Sequence, residues 1–248
     1  VHLGSMSESI KTVMRENAGT MKPGDAYAIN DPYHGGTHLP DVTVITPVFD
    51  RAGVEILFYV GSRGHHADIG GTTPGSMPPF STSLDEEGTR FINFKLVEGQ
   101  GIDRAGRICE AELMTLLTSG AYPARNPQQN LADLRAQIAA NEKGREELLR
   151  MVEQFGLDVV RAYMQHVQDN AEESVRRVIT RLKDGEFDYK LDNGALIRVR
   201  IDVDRGDRSA TIDFTGSSNQ LPNNFNAPSA VCYAAVLYVF RTLVDSDI

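Results

Sequence analysis

Apolar and polar positions along the chain fall into three successive regimes. In the first, Ile10, Val13 and Met14 space a short helix within residues 1–20, and residues 26–30 form a brief strand. Residues 42–49 and 54–60 are β-rich runs joined at Asp50-Arg51-Ala52-Gly53, which predicts a hairpin; residues 91–97 predict a further strand. In the second regime, residues 108–120 and 127–183 carry helical periodicity. The long stretch breaks at Gly156, with Leu131, Leu134, Ile138, Leu148 and Val152 before it and Leu157, Val160, Met164, Val167, Ala171 and Val175 after it. This predicts a long αα-hairpin. In the third, residues 195–214 alternate: Ile197, Val199, Ile201 and Val203 on one face, Arg198, Arg200, Asp202 and Asp204 on the other, with a turn at residues 204–207. An apolar run at 230–240 then predicts a buried helix. The order is that of an α+β chain: a mixed β-sheet with glycine-rich loops at 1–124, a helical hairpin at 125–184, and a β-hairpin plus buried helix at 185–248.

Two irregular segments interrupt the first regime. Asp31-Pro32-Tyr33-His34-Gly35-Gly36-Thr37-His38 precedes the first hairpin strand, and residues 61–71 (GSRGHHADIGG) follow the second. Proline and paired glycines exclude regular structure from the first, and glycines point to a loop for the second. Composition sharpens their interest. Of six histidines, His2, His34, His38, His65 and His66 lie within the first 66 residues. The 248-residue chain is otherwise ordinary, with 34 acidic and 25 basic residues and a net charge of −9, which argues against a phosphate-gripping nucleic-acid partner. Its longest apolar run is too short for a bilayer, which takes about 20 residues, so no membrane partner is expected. Two distant cysteines, Cys109 and Cys232, fit a reducing cytoplasm and read as structural rather than nucleophilic.

The chemistry follows from the predicted hairpin. Antiparallel strands place the loop before the first and the loop after the second side by side. That brings together His38 and Asp41, three apart, with His65, His66 and Asp68. Two imidazoles and a carboxylate with open positions suit Zn, Mn or Fe(II); hydrogen-bonded turn histidines are the competing reading. On the first long helix, Asp133, Gln137 and Asn141 fall at i, i+4 and i+8 and share one face. The face is either solvated or a polar stripe lining a substrate cleft; Arg63 is a further substrate-binding candidate. No GxxxxGK[ST] and no strand-anchored GxGxxG occurs, so no nucleotide site is expected in this chain.

Residues 30–41 (NDPYHGGTHLPD) and 62–71 (SRGHHADIGG) together resemble the hydantoinase B family, the B component of ATP-dependent 5-oxoprolinases, hydantoinases and acetone or acetophenone carboxylases. Residues 73–81 (TPGSMPPFS) look most like the 5-oxoprolinase and hydantoinase branch, and the likeness continues through 133–141, 213–218 and 226–228. The resemblance implies a B component that opens a cyclic amide after an actin-like, ATP-binding A-type partner has phosphorylated the substrate oxygen, in a cytoplasmic hetero-oligomer or fused chain. It implies a divalent metal on His38, Asp41 and His65, with Asp68 or His66 as base. It also implies that VHLGSM is native, that His2 is a functional candidate, and that the chain is a piece of a longer subunit. The rival implied activities are a carboxylase B subunit and a non-catalytic structural partner of the ATP-binding chain.

Overall fold

Helix α1 (Met6–Glu16) leads into β1 (Ala26–Ile29), β2 (Asp41–Phe49) and β3 (Ile56–His65), then β4 (Phe94–Glu98), β5 (Arg107–Ile108), α2 (Glu110–Thr118) and α3 (Pro127–Phe155). Helix α4 (Leu157–Ile179), strands β6 (Gly185–Lys190), β7 (Leu196–Asp204) and β8 (Ser209–Asp213), and α5 (Ser229–Thr242) complete the chain. These elements come from a computed structural model, which describes residues 2–102 and 106–244, with the side chains of His2 and Leu3 outside the described set. The expectation for His2 therefore falls outside the described residues. Two compact units emerge, Val1–Arg150 with Asn223–Ala235, and Met151–Pro222 with Val236–Ile248. The edge expected at 124 lies inside the first of them.

The first unit is built on an antiparallel sheet of order β3-β2-β1-β4-β5. Both faces are covered, which explains the near-continuous apolar runs of its middle strands. Ala26, Ala28, Val42 and Val44 pack with Leu113, Leu117, Leu131 and Leu134 of α2 and α3. Tyr27, Ile29 and Ile45 point the other way, onto Val13 and Ile10 of α1. Period-2 alternation thus serves two cores from the same strands.

The second unit holds a three-stranded meander, β6-β7-β8, and α4. Arg176 on α4 donates to the carbonyls of Asp207 (2.9 Å) and Arg208 (3.1 Å) at the β7–β8 turn. Gly156, with φ +85°, parts α3 from α4 as the sequence predicts.

Four expectations need correction. Residues 61–65 are strand, not loop: β3 runs on to His65, pairing with β2 throughout. Its glycines serve close approach instead, since a Cβ on Gly64 would lie 3.2 Å from the Gln137 side chain and one on Gly61 3.3 Å from the Met6 sulfur. Residues 107–108 form β5, so the following helix starts at Glu110. Strand β6 was not foreseen; all its residues are exposed, so no burial pattern marks it. Helix α5 forms, yet of its side chains only Ala230 and Ala234, four apart, are buried, while Tyr233, Leu237, Tyr238 and Val239 are exposed. An all-apolar run fixes the helix but not which face is covered.

Candidate metal centre

The β2–β3 register sets Asp41 opposite His65 as Cα partners. His38 reaches the same point from the preceding turn, closed by the Asp41 N–H donating to the His38 carbonyl at 3.1 Å. Asp41 Oδ1 lies 2.7 Å from His65 Nδ1 and 3.1 Å from His38 Nε2. One ligand atom from each of His38, Asp41 and His65 falls within 4.8 Å of the others. The two imidazole centroids stand 5.3 Å apart. Access is graded, with side-chain exposures of 8% for Asp41, 20% for His38 and 52% for His65. A carboxylate at the base, with two imidazoles converging on the same point and one side open, is a donor set that fits a divalent ion of the Zn, Mn or Fe(II) type.

The turn carrying His38 is held from three sides. Asn30 Nδ2 donates to the Leu39 carbonyl at 2.7 Å and the Thr89 carbonyl at 3.0 Å, and Asn30 Oδ1 accepts from Phe91 N at 2.7 Å. Ser9 on α1 donates to the Gly35 carbonyl at 2.6 Å. Gly36 has no room for a side chain: a Cβ would sit 2.1 Å from the Asn30 carbonyl oxygen. This close approach is what the paired glycines serve.

Arg63, expected to bind substrate, turns inward. Its guanidinium donates to Thr43 Oγ1 (2.7 Å), Ser5 Oγ (2.6 Å) and Ser9 Oγ (2.9 Å), tying α1 to β2 and β3. Burial lowers its pKa, and the charge of Asp41 works the other way. Arg63 is thus a cation within electrostatic reach of the Asp41 carboxylate.

His66 and Asp68, the expected bases, are engaged by the scaffold. His66 is 1% exposed. Its Nε2 lies 3.2 Å from Gln137 Oε1 and its Nδ1 3.0 Å from Asn130 Nδ2. Gln137 Nε2 donates to the carbonyls of Val42 (2.9 Å) and Ser62 (3.2 Å), so Gln137 Oε1 is the acceptor. His66 therefore carries its proton on Nε2 and accepts at Nδ1. Burial lowers its pKa in keeping with this neutral state. Asp68 accepts from Gly70 N (3.1 Å), Arg125 N (2.7 Å) and Arg125 Nη1 (2.8 Å).

The polar stripe of α3 likewise faces the sheet rather than an open cleft. Besides Gln137, Asn141 Nδ2 donates to the Val44 carbonyl at 2.9 Å and to Thr46 Oγ1 at 3.2 Å. These amides satisfy backbone groups that a helix laid over the sheet would otherwise strand. Asp133 is part-exposed, with Oδ1 accepting from Gln129 at 2.8 Å and Oδ2 4.0 Å from His66 Nδ1. One contributor was missed. Asn130 also bonds the Asp68 carbonyl at 2.8 Å; it stands seven residues before Gln137, a spacing that repeats the same helix face.

Comparison with known proteins bears on this geometry. A family model described as Hydantoinase B/oxoprolinase matches residues 1–248. The 5-oxoprolinase 1 of Arabidopsis thaliana is 41% identical over 267 residues, covering 100% of this chain and 21% of its own length. The chain thus spans about a fifth of that relative. Among solved structures, an ATP-dependent caprolactamase from Pseudomonas jessenii superposes with a TM-score of 0.78 at 25% identity, over 97% of this chain and 40% of that one. A nucleotide-free acetone carboxylase gives a TM-score of 0.79 at 20% identity, over 99% and 34%; at that identity the likeness is one of fold.

Proposed function

The chain belongs to the Hydantoinase B/oxoprolinase family, and from that footing we propose that it is the ring-opening part of an ATP-dependent cyclic-amide hydrolase, acting on a 5-oxoproline- or hydantoin-like substrate. The observation that carries this reading is the convergence of His38, Asp41 and His65 within 4.8 Å at the paired ends of β2 and β3. A ring amide is a poor electrophile, so its opening calls for activation of the carbonyl and a strong nucleophile near neutral pH.

A divalent ion at this centre would supply a Lewis acid and an acidified water. The chain's own residues set the stage for it. Asp41, at the buried base, orients both imidazoles through one oxygen. His65 faces the open side, where substrate would arrive. Arg63 offsets the charge of Asp41 from behind while holding α1 on the sheet. The ATP step belongs to a separate partner or fused domain of the hydantoinase A type. Phosphorylation of the ring oxygen there makes it a leaving group. The 41% match to a 5-oxoprolinase over the whole chain, against 20% to the carboxylase, favours hydrolysis over carboxylation.

The test is elemental analysis of the intact subunit beside Asp41→Asn, with ATP-dependent opening of 5-oxoproline assayed in the presence of the partner. About one divalent ion per wild-type chain, lost with the activity in Asp41→Asn, is the expected result. A metal content unchanged by the substitution overturns the site.

A further inference from the structure

Both sheets end in open edges, at β3 and β5 in the first and at β6 and β8 in the second. Of these edge strands β6 alone is exposed at every residue, Gly185–Lys190. An open edge presents unpaired N–H and C=O groups to any strand that can reach it. Register decides which residues of β6 present them. In an antiparallel pair, successive residues direct their main-chain groups alternately at the partner strand and away from it. The turn after β6 fixes the phase, since Leu191 N donates to the Ala195 carbonyl at 2.8 Å. Tyr189 opposite Ile197, Phe187 opposite Val199 and Gly185 opposite Ile201 are therefore the pairs that bond β6 to β7. The far side of β7 agrees: Leu196 N donates to Ser218 Oγ (2.8 Å) and Arg198 N to Ser217 Oγ (3.0 Å), away from β6. The main-chain groups of Glu186, Asp188 and Lys190 thus point to the open edge, where no strand pairs with them among the described residues.

Side chains alternate in the same way. Phe187 and Tyr189 share one face with Ile197 of β7, and all three are exposed. Glu186, Asp188 and Lys190 lie on the other face. The strand is its own complement. In a two-fold antiparallel pairing centred on Asp188, Glu186 stands opposite Lys190 of the second copy and Phe187 opposite its Tyr189, each pair occurring twice. Opposite charges and aromatic pairs across strands are both stabilising. The outward groups of residues 186, 188 and 190 then bond those of 190, 188 and 186. The aromatic pairs fall at the non-hydrogen-bonded positions, where side chains come closest. At the centre the two Asp188 carboxylates meet, but each is already paired with its own Arg198, through Nε at 2.7 Å and Nη2 at 2.6 Å. Neighbouring registers fit worse. Centring on Phe187 sets Glu186 against Asp188 twice, and centring on Tyr189 sets Glu186 against Asp192 and runs the pairing into the turn.

We propose that β6 is a self-association edge: two copies of the subunit pair their β6 strands antiparallel about Asp188, joining their three-stranded sheets into one. The aromatic residues of β6 then serve the contact between copies, which accounts for a strand with no burial pattern inside its own chain.

Sedimentation equilibrium and disulfide trapping on the intact subunit, alone and with its ATP-binding partner, test this. Wild type is expected to pair. Asp188→Cys should give a disulfide-linked dimer under mild oxidation, because facing residues of a hydrogen-bonded pair stand about 5.5 Å apart at Cα, within disulfide reach. Wild type, with Cys109 and Cys232 only, should give none, and neither should Lys190→Cys, whose counterpart lies four residues further along the strand, roughly 13 Å away. Lys190→Glu places two glutamates opposite Glu186 and should weaken the dimer by about 10-fold or more. Adding Glu186→Lys restores opposite charges and should restore the dimer. All these positions are exposed, and unchanged far-UV circular dichroism checks that each variant folds. A wild-type subunit that stays a single copy, no disulfide in Asp188→Cys, a Lys190→Glu dimer as tight as wild type, or a double variant no tighter than Lys190→Glu each overturns the assignment; the edge would then be covered by another part of the intact subunit or by the ATP-binding partner.

Discussion

At Gln137 a single side chain settles what a polar stripe on α3 is for. Its amide nitrogen serves the carbonyls of Val42 and Ser62 and its oxygen takes the His66 proton. Replacing it by leucine leaves buried carbonyls and an imidazole N–H unpaired, a loss of about 2–4 kcal/mol of stability in denaturant unfolding. The KM of the folded variant should hardly move, whereas a substrate-lining glutamine would raise it. Asp25 makes a second case, far from the centre. Burial pushes its carboxyl up, but hydrogen bonds from Gly99 N, Lys22 N, Lys95 Nζ and Tyr27 Oη together outweigh that and leave the pKa below its ordinary 3.8. A carboxyl with a depressed folded pKa stabilises the fold above its unfolded value and loses that contribution as pH falls through the lower one. Wild-type stability should therefore drop steeply below about pH 4, and Asp25→Asn should be less stable at neutral pH with a flatter acid limb. Equal slopes in the two proteins would remove Asp25 from the acid response.

Among the elements, legibility followed burial. Strands β1 and β2 were readable as near-continuous apolar runs covered on both faces, and α3 because Leu131 and Leu134 keep the helical period of the surface they cover; α4 is the exception, read from its apolar spacing although only Val160 and Ile179 of it are buried. Strand β6 was not readable, since Phe187 and Tyr189 are as exposed as the Asp188 between them. The end of β3 was misread because glycine signals a loop locally, while here Gly61 and Gly64 admit the side chains of Met6 and Gln137. The cluster of His38, Asp41 and His65 was legible because the hairpin dictates that its outer ends meet. The turn bearing His38 owes its shape to Gly36. Since a Cβ there would stand 2.1 Å from one backbone oxygen and 2.7 Å from the next, Gly36→Ala must displace the turn. The expected outcome is a folded subunit with reduced metal content, read by elemental analysis; full metal retention would mean that the turn tolerates the shift.

Across the whole molecule, the largest fully buried side chains, among them Tyr27, Ile29, Ile45, Leu96 and Leu113, belong to the unit built on the five-stranded sheet. In the Met151–Pro222 segment the buried apolar residues are Val160, Ile179 and Ala195. Each fully buried aliphatic side chain contributes roughly 1.5–3 kcal/mol, so the two units should differ in local stability by far more than a single substitution changes. Amide hydrogens of β6–β8 should then exchange well before those of β1, β2 and β4, because local opening follows the burial that resists it. Mass-spectrometric exchange checks this, and it also ties stability to function. A ligand that binds only the folded centre stabilises it by mass action. Adding Mn²⁺ or Zn²⁺ to the metal-free subunit should slow exchange in peptides carrying residues 38–44 and 61–68, in wild type but not in Asp41→Asn, and leave β6–β8 unchanged. Uniform slowing across both units would mean that the ion acts on the surface at large rather than at the paired ends of β2 and β3.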